Sequence, residues 1–383
     1  MKCVAIIPAR GGSKGLLLKN LRKVGGYRLL TRSIMAAGRC ELVSEVYVST
    51  DCPELAHVAT LAGAKVVVRP EALATDEASS EVALHHVLTE IGKTGDLPDI
   101  VAFLQCTSPF TTPAEVHATL VPLIAGRADS AFLAKRSHGF IWRNGDDGTA
   151  GGVNHDHRKP RVRRQDLAPE YQETGAVYAF FARDFLEQRN RFIGRIVAVE
   201  GFSHPYDIDT MEDIVRARAE IETDPLPAIR HGLPKALITD FDGVHTDGRV
   251  LVSQDGGESV SCNRRDGMGI EIARRHGLEV LILSKERNPV VDARARKLNI
   301  ECIHGCDDKL GALSEWLKSR QMHWDDIAYI GDDVNDIDCL QLAGFSICPA
   351  DAVPLVRGTV DLCLASPGGA GCIREIVEYF RLV

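Results

Sequence analysis

Residues 6–20, IIPARGGSKGLLLKN, pass from an apolar run to a turn of glycines and cations. The apolar run is typical of a buried strand. The glycines after it allow backbone N–H groups to approach phosphate oxygens closely, and Arg10, Lys14 and Lys19 would neutralise the charge of a triphosphate. The segment therefore predicts a phosphate-binding turn at the end of the first strand.

The spacing within this turn excludes two common nucleotide-binding motifs. A P-loop requires a Gly-Lys-Ser/Thr ending, which the turn lacks. A dinucleotide fingerprint requires G-x-G-x-x-G, whereas Gly11 and Gly12 are adjacent. A solvated basic turn would account for the segment taken alone, so its interpretation depends on the rest of the chain.

Short apolar runs alternate with amphipathic segments along most of the sequence. Runs such as KCVAIIPA, SEVYVST, AKVVVR and DIVAFLQ predict buried strands joined by helices, the pattern of an α/β fold with a mainly parallel sheet. Residues 136–175 break the pattern and predict an inserted lobe. Pro225, Pro227 and Pro234 then interrupt any helix, and a new α/β alternation follows. We therefore predict two α/β domains, 1–224 and 235–383, joined by a linker at 225–234.

The composition of the 383 residues is that of an ordinary globular protein, with 45% hydrophobic residues and a formal net charge of −8. This balance argues against a nucleic-acid partner, and the basic stretch HRKPRVRR at 157–164 has no interleaved aromatic residues. Eleven cysteines include no C-x-x-C pair, which favours reduced thiols and leaves disulfides or a zinc site open. No apolar run is long enough for a membrane span, so we expect a cytoplasmic protein.

The stretch ALITDFDGVHTDG at 236–248 repeats the strand-then-turn design with carboxylates in place of cations. Asp240 ends the apolar strand, Asp242 follows it, and Gly243 permits a sharp turn. In a straight strand the two carboxylates would point to opposite faces, so the chain must curl here for both to reach one site. The sequence therefore predicts a second phosphate site, of opposite charge to the first.

Further polar residues follow later apolar strands in a fixed order. Ser284 ends EVLILS, Lys309 opens a helix, and YIGDDVND carries Asp332, Asp333 and Asp336. Only 41 residues separate Asp242 from Ser284, and GRVLVSQDGGESVSC among them predicts a β-hairpin. No cap domain fits in that space. A neighbouring subunit would then have to help select the substrate, and we expect a homo-oligomer.

The first turn is followed along the chain by VSTD (48–51), VVVRPEALATDEASS (66–80), LQCTSPF (104–110), RRQDLAPEYQETGAVYAF (163–180) and DIDTMED (207–213). Together these segments resemble the CMP-sialic acid synthetases (acylneuraminate cytidylyltransferases). The resemblance implies a nucleotide-diphospho-sugar transferase-like fold. It also implies transfer of CMP from CTP to a nonulosonic acid, with release of pyrophosphate.

This resemblance assigns roles to individual residues. It implies that CTP is bound by Arg10, Ser13, Lys14, Lys19, Asn20, Arg69 and Ser80, of which Arg10 and Lys19 are also catalytic. It implies substrate contacts from Gln105, Arg164, Gln165 and Tyr178, and Mg²⁺ ligation by Asp207 and Asp209. Hard carboxylate oxygens two residues apart also suit Mg²⁺ on chemical grounds. No residue stands out as the base that accepts the proton of the sugar hydroxyl.

The second set of motifs resembles the capless haloacid dehalogenase-like phosphatases, in particular the KDO-8-phosphate phosphatases, which are tetramers. RRDGMGI (264–270) and GGAGCIRE (368–375) extend this likeness. It implies Asp240 as nucleophile, Asp242 as acid and base, and Ser284 and Lys309 as phosphoryl contacts. It implies Mg²⁺ ligation by Asp240, Asp332 and the backbone carbonyl of Asp242, outer support from Asp333 and Asp336, and a substrate contact from Arg374.

The two resemblances together predict a bifunctional enzyme that removes phosphate from a nonulosonic acid 9-phosphate and then activates the free acid with CTP. Two alternatives remain open. The C-terminal domain could be mainly an oligomerisation module, or the enzyme could act on an 8-phosphate in a CMP-KDO pathway. The KDO-8-phosphate phosphatases have Thr-Gly-Arg where this chain has Ser284, Lys285 and Glu286, which favours a different substrate.

Overall fold

A computed structural model of the chain describes residues 1–12, 15–75, 77–161, 163, 169–202, 206–220 and 233–382. The predicted strands and helices alternate within it. The strands are β1 Cys3–Pro8, β2 Lys23–Val24, β3 Tyr27–Arg28, β4 Val43–Thr50, β5 Lys65–Val68, β6 Ile100–Leu104, β7 Ser130–Ser137, β8 Trp142–Asn144, β9 Ala150–Gly152, β10 Glu170–Phe181, β11 Ile196–Glu200, β12 Ala236–Thr239, β13 Leu251–Val252, β14 Glu258–Ser259, β15 Glu279–Leu283, β16 Glu301–Ile303, β17 Ile327–Ile330, β18 Phe345–Cys348 and β19 Leu362–Cys363.

The helices connect these strands as expected for an α/β chain. They are α1 Leu29–Gly38, α2 Pro53–Leu61, α3 Ser80–Lys93, α4 Pro113–Ile124, α5 Ala182–Gln188, α6 Met211–Glu220, α7 Arg264–Arg275, α8 Val290–Leu298, α9 Lys309–Ser319, α10 Ile337–Leu342, α11 Pro354–Arg357 and α12 Cys372–Tyr379. Among the residues described, none of these helices combines the length and apolar character that a membrane span requires.

The chain divides into two compact units. The first comprises Met1–Gly12 and Leu30–Ile208. Its seven-stranded sheet has the order β11-β7-β10-β6-β1-β4-β5. β1 pairs in parallel with β4 and β6, whereas β10 runs antiparallel between β6 and β7. Because β1 and β6 are buried on both faces, they are continuous apolar runs, as the sequence predicted.

The predicted lobe at 136–175 begins within β7 and ends within β10, and between them it forms a small sheet of its own. β8 pairs antiparallel with β9 there, outside the seven-stranded sheet. Most of the side chains of this lobe are exposed, which explains why the sequence shows no apolar periodicity in the region.

The second unit comprises Ser13–Leu29 and Asp209–Val383. Its six-stranded sheet has the order β16-β15-β12-β17-β18-β19, with every pair parallel. β12 lies between β15 and β17, and Thr239 is in register with Ile330. Because neighbouring parallel strands end at the same edge, the residues that follow β12, β15 and β17 meet at one place. The β13–β14 hairpin forms as predicted.

The β2–β3 hairpin is also part of the second unit, although it lies early in the sequence. Its cations Arg22, Lys23 and Arg28 are buried and form ion pairs with Asp338, Asp361 and Asp325, respectively. Lys23 Nζ also donates to the carbonyl of Gly344 at 2.7 Å. The predicted linker at 225–234 lies mostly outside the described residues, so the boundaries at 224 and 235 stay a prediction.

Candidate active sites

Asp240 lies where β12 ends, at the carboxyl edge of the six-stranded sheet. Its backbone N–H donates to the carbonyl of Ile330 at 2.9 Å, which continues the pairing with β17. Its Oδ1 accepts from the backbone N–H of Phe241 at 2.7 Å, and its Oδ2 lies 2.9 Å from Lys309 Nζ. Burial and the neighbouring charge of Asp336 raise the pKa of Asp240 well above its ordinary value.

Lys309 begins α9 and carries the ammonium group of the site. Asp308 caps this helix by accepting from the backbone N–H of Gly311 at 2.9 Å, which fixes where the helix starts. The residue is only 3% exposed, and Nζ also lies 2.8 Å from Asp336 Oδ1. Burial by itself would lower the pKa of Lys309, but the charges of Asp240 and Asp336 outweigh it and raise that pKa.

Asp336 is fully buried and connects several parts of the site. Its Oδ1 accepts from Tyr329 Oη at 2.7 Å, in addition to Lys309. Its Oδ2 accepts from the backbone N–H of Asp332 at 3.1 Å. Asp336 therefore orients Lys309, as the sequence predicted, and also fixes the backbone that carries Asp332. Asp333 accepts from the backbone N–H of Val334 and caps the short 3-10 helix Val334–Asp336.

Gly243 allows Asp332 to approach the β12 turn. Its φ is +73°, and a Cβ atom at this position would lie 2.0 Å from Asp332 Oδ2. Any larger residue would therefore displace the Asp332 carboxylate. Burial, with the charges of Asp336 and Asp333, raises the pKa of Asp332 to about 7.

The residues at this edge fit a divalent cation. Carboxylate oxygens of Asp240, Asp332 and Asp336 lie within 4.8 Å of one another, and this is the metal-type cluster found in the part of the chain that the structure describes. Three carboxylates with one ammonium group leave excess negative charge at this edge. Mg²⁺ compensates such charge in proteins, because carboxylates provide the hard oxygen donors that it prefers. Asp240 and Asp332 are predicted Mg²⁺ ligands, and Asp336 was predicted to support the site from outside. These assignments, with the backbone carbonyl of Asp242 as a further ligand, stay predictions.

Asp242 is set apart from this carboxylate cluster. Its Oδ1 accepts from Thr246 Oγ1 at 3.2 Å, and burial raises its pKa. A carboxyl group with a raised pKa holds its proton more readily, as a general acid must. Ser284 is buried after β15, and its Oγ accepts from the backbone N–H of Glu286 at 3.1 Å.

Arg374 lies on α12, in the wall of a cavity of about 590 Å³. The same wall includes Arg265 and Met268. Arg374 Nε donates to Glu378 Oε1 at 2.8 Å, so the guanidinium is already held in place. The cavity has both charged and apolar walls, which suits a polar ligand with a carbon skeleton.

In the first unit, Arg10 and Arg69 lie near the carboxyl ends of β1 and β5. Arg10 Nη1 donates to the carbonyl of Thr75 at 3.0 Å. Arg69 is buried and its guanidinium donates to Ser49 Oγ and to the Ser49 carbonyl. Burial, together with the charge of Arg10, lowers the pKa of Arg69, while Asp51 opposes that shift. The assignment of Arg10 and Arg69 as CTP contacts stays a prediction.

The other predicted residues of the first unit are more scattered. Gln105 directly follows β6, and its Oε1 would lie 3.1 Å from a Cβ atom added at Gly175. Ser80 is the first residue of α3, and Asp207 is exposed. Tyr178 is buried in the core, stacked on Phe103, and its hydroxyl donates to Glu173. That packing gives Tyr178 a structural role in addition to the predicted substrate contact.

In the second unit, Lys19 begins a short 3-10 helix, Lys19–Leu21, and Asn20 in the same helix is buried. Lys19 Nζ lies 2.8 Å from Asp209 Oδ1, although the Asp209 side chain is 65% exposed. The predicted cation and the predicted metal ligand therefore form a pair. Gly15 allows the chain to pass the Asp209 carbonyl, since a Cβ atom there would lie 2.8 Å from that oxygen. Ser13, Lys14, Arg164 and Gln165 lie outside the described residues.

The sequence prediction missed Tyr329 and Thr246. Tyr329 is the one polar side chain within β17, and its hydroxyl binds Asp336. A tyrosine in an otherwise apolar buried strand is a detectable signal, because a buried hydroxyl needs a partner. Thr246 contacts Asp242 because the turn after β12 curls back on itself. The hydrophobic periodicity of the sequence does not indicate this contact.

Comparisons with known proteins agree with this geometry. A family described as cytidylyltransferase matches residues 4–202, and one described as haloacid dehalogenase-like hydrolase matches residues 287–371. The N-acylneuraminate cytidylyltransferase A of Danio rerio is 31% identical over 388 residues, which cover 99% of this chain and 88% of that protein.

Two further relatives match the C-terminal part. The 3-deoxy-D-manno-octulosonate 8-phosphate phosphatase of Salmonella typhi is 33% identical over 173 residues, covering 44% of this chain and 92% of that protein. A crystal structure of the enzyme of that name from Moraxella catarrhalis, in complex with magnesium, phosphate and KDO, is 32% identical. It covers 38% of this chain and 85% of that one, with a TM-score of 0.38.

Proposed function

Because the chain belongs to the cytidylyltransferase family and carries a haloacid dehalogenase-like hydrolase domain, we propose that it is bifunctional. It transfers CMP from CTP to a nonulosonic acid, and it hydrolyses the 9-phosphate of that acid. The hydrolysis product is then the acceptor for the transfer. The observation that carries the hydrolase half is the arrangement of the buried Asp240, Lys309 and Asp336 with the half-buried Asp332, outside which Asp242 is placed.

In the hydrolase reaction, Asp240 is the nucleophile. One of its carboxylate oxygens attacks the phosphorus, and Asp242 donates a proton to the departing sugar oxygen. Asp242 then removes a proton from the water that hydrolyses the aspartyl phosphate. Lys309 balances the charge of the phosphoryl group, and Ser284 donates a hydrogen bond to it. A bound Mg²⁺ would supply additional charge neutralisation, and Asp240 and Asp332 are the residues placed to hold it.

In the transfer reaction, the anomeric hydroxyl of the sugar acid attacks the α-phosphorus of CTP, and pyrophosphate leaves. Arg10 and Lys19 neutralise the phosphates, Ser13, Lys14 and Asn20 also bind CTP, and Arg69 and Ser80 contact the nucleoside. Gln105, Arg164 and Gln165 contact the sugar acid. Asp207 and Asp209 would hold Mg²⁺. The support for these assignments is the 31% identity to an N-acylneuraminate cytidylyltransferase and the positions of Arg10 and Arg69 just after β1 and β5.

The substrate of the hydrolase is a nine-carbon acid phosphate rather than an eight-carbon one. Lys285 and Arg287 both pair with Asp307. The acidic residue of the segment Ser284-Lys285-Glu286 is Glu286. Its charge contributes to the raised pKa of Asp242, which puts the two groups near each other. Arg374 and its cavity would receive the remote end of the substrate.

A homo-oligomer, expected to be a tetramer, would complete the hydrolase site. The β13–β14 hairpin exposes Val250, Leu251 and Val252, and Leu251 is 76% exposed. Contiguous apolar exposure of this kind favours burial against a second copy. The free cysteines among the described residues suit a reducing compartment, and we place the enzyme in the cytoplasm. No nucleic acid or membrane partner is proposed.

Two assays on the full-length protein test the proposal. Phosphate release from the 9-phosphate of N-acetylneuraminic acid, and from KDO 8-phosphate, is compared for the wild type, Asp240→Asn and Asp292→Asn. Asp292 pairs with Arg296 on α8 and serves as the matched control. We expect the nine-carbon substrate to be preferred and only Asp240→Asn to be inactive. Equal rates in all three proteins would support the oligomerisation alternative.

The second assay follows pyrophosphate release from CTP with N-acetylneuraminic acid, its deaminated analogue or KDO as acceptor. A nonulosonic acid should support the faster release, because a pocket built for one C5 substituent and chain length discriminates against others. Preference for KDO in both assays would instead place the enzyme in the CMP-KDO pathway.

A further inference from the structure

Two cysteines face each other at the edge of the six-stranded sheet. Cys348 ends β18 and Cys363 ends β19, and the two residues are in register in the parallel pair. Side chains in register on neighbouring strands point to the same face, which brings the two Sγ atoms to 3.5 Å. The two cysteines lie 15 residues apart in sequence, so no cysteine spacing motif predicts their contact.

The two thiols differ in exposure and in charge. Cys348 is fully buried, whereas Cys363 is exposed. The S–H group of Cys348 donates to Cys363, and this hydrogen bond, with the charge of Arg357, lowers the pKa of Cys363 to about 6. Arg218 contributes positive charge on the same side. An exposed thiolate next to a buried thiol is the arrangement of an attacking and a resolving cysteine.

We propose that Cys363 and Cys348 form a reversible disulfide when a hydroperoxide oxidises the protein. The Cys363 thiolate attacks one oxygen of the hydroperoxide, the O–O bond breaks, and the other oxygen leaves as an alcohol or water after gaining a proton. The sulfenic acid of Cys363 is then attacked by the Cys348 sulfur. The S–O bond breaks, water leaves with the thiol proton, and the two sulfurs have supplied two electrons. A low-molecular-weight thiol reverses the reaction by exchange.

The surrounding backbone allows the two sulfurs to approach. β19 is a two-residue strand at the edge of the sheet, paired only through Ile347↔Leu362 and Cys348↔Cys363. A short edge strand can shift by the ångström or so that closing an S–S bond of about 2 Å requires. Cys348 is held more firmly, because β18 is also bound on its other side, where the carbonyl of Ile347 accepts from the backbone N–H of Gly331. The site is distinct from the phosphate chemistry and is used by neither proposed reaction.

The test uses the reduced full-length protein, treated with about one equivalent of hydrogen peroxide. Free thiols are alkylated, the protein is digested, and the peptides are examined by mass spectrometry. We expect a peptide pair linked through Cys348 and Cys363, lighter by two hydrogens, that disappears after dithiothreitol. The Cys302→Ser control should retain the link, and Cys348→Ser should instead accumulate sulfenic or sulfinic acid at Cys363.

Other outcomes would overturn the proposal. These are alkylation of both thiols at the untreated level after peroxide, oxidation of Cys363 in the wild type without a link to Cys348, or a link between two chains. Because the decisive observation is made on the wild-type chain, a variant that fails to fold leaves the test intact.

Discussion

The two strand-ending turns of this protein carry opposite charges and handle them differently. After β12, Asp240, Lys309 and Asp336 are nearly fully buried and bind one another. After β1, the described cations bind exposed or neutral partners: Lys19 pairs with the exposed Asp209, and Arg10 donates to a backbone carbonyl. Burying an unpaired charge is costly, whereas an exposed charge is solvated by water until a ligand binds. The hydrolase site is therefore assembled in advance, whereas Asp209, the partner of Lys19, stays exposed to solvent.

The largest expected effect concerns buried pairing itself. Lys23→Met would leave Asp361 buried without its ammonium, and we expect the free energy of unfolding to fall by about 3–5 kcal/mol. Denaturant unfolding followed by circular dichroism measures this change. Lys65→Met, at a mostly exposed ion pair, is the control and should change stability by about 1 kcal/mol or less. Equal losses in the two variants would contradict the distinction between buried and exposed charges.

The next effect tests whether the hydrolase site is assembled in advance. Gly243→Ala would place a methyl group against Asp332, and we expect phosphatase kcat/KM to fall by about 100-fold. Gly277→Ala is a matched control, because its φ is also positive, at +86°, but nothing lies within 4 Å of the added Cβ. Activity in Gly277→Ala should stay near that of the wild type. If both variants lose activity alike, backbone strain and not the approach of Asp332 is the cause.

A smaller effect is expected at the cationic turn. Lys19→Met should raise the KM for CTP by about 10- to 100-fold, because one charge-assisted contact to phosphate is lost. The mostly exposed Lys93, paired with Glu90 on α3, provides the control Lys93→Met. Pyrophosphate release measured at varied CTP concentrations gives the KM for CTP of both variants. An unchanged KM in Lys19→Met would remove this residue from the nucleotide site.

The smallest effect appears in the pH dependence of stability. Burial alone would raise the pKa of Asp361, but Lys23 and the hydrogen bonds from Ser346 outweigh it and hold that pKa below its ordinary value. The stabilisation is therefore present above the unfolded-state pKa of about 4 and is lost as the pH falls through the lower folded-state pKa. Unfolding measured from pH 6 to pH 3 should show a shallower decline in Asp361→Asn. A decline as steep as that of the wild type would contradict this assignment.

Much of the fold and of the hydrolase site could be predicted from the sequence, for a physical reason. Asp240, Ser284 and Asp332 each directly follow an apolar strand or lie two residues beyond it, and parallel strands bring such positions to one edge. Asp336 pairs with Lys309 at 2.8 Å, and the supporting role predicted for Asp336 stays a prediction. Gly243 was expected to permit a turn, but its contact with Asp332 depends on tertiary packing.

Long-range contacts explain what the sequence did not predict. Nothing in the pattern around Lys23 indicates that it pairs with Asp361, 338 residues away. No role was predicted for Arg22, Lys23 and Arg28, because charged residues are seldom fully buried unless paired and their partners lie far along the chain. The thiol contact between Cys348 and Cys363 was missed for the same reason, since register between β18 and β19 cannot be deduced from spacing alone.

The early β2–β3 hairpin has a consequence for how the protein could be taken apart or recombined. A polypeptide that began at residue 234 would leave Asp361 without Lys23 and would strip Gln341 of its hydrogen bond from the Lys23 backbone. Such a fragment would need to be supplied with the hairpin in trans. Replacing the hydrolase portion by that of a relative would likewise require the hairpin residues to be exchanged with it. The hydrolase portion therefore cannot be exchanged as a continuous C-terminal segment.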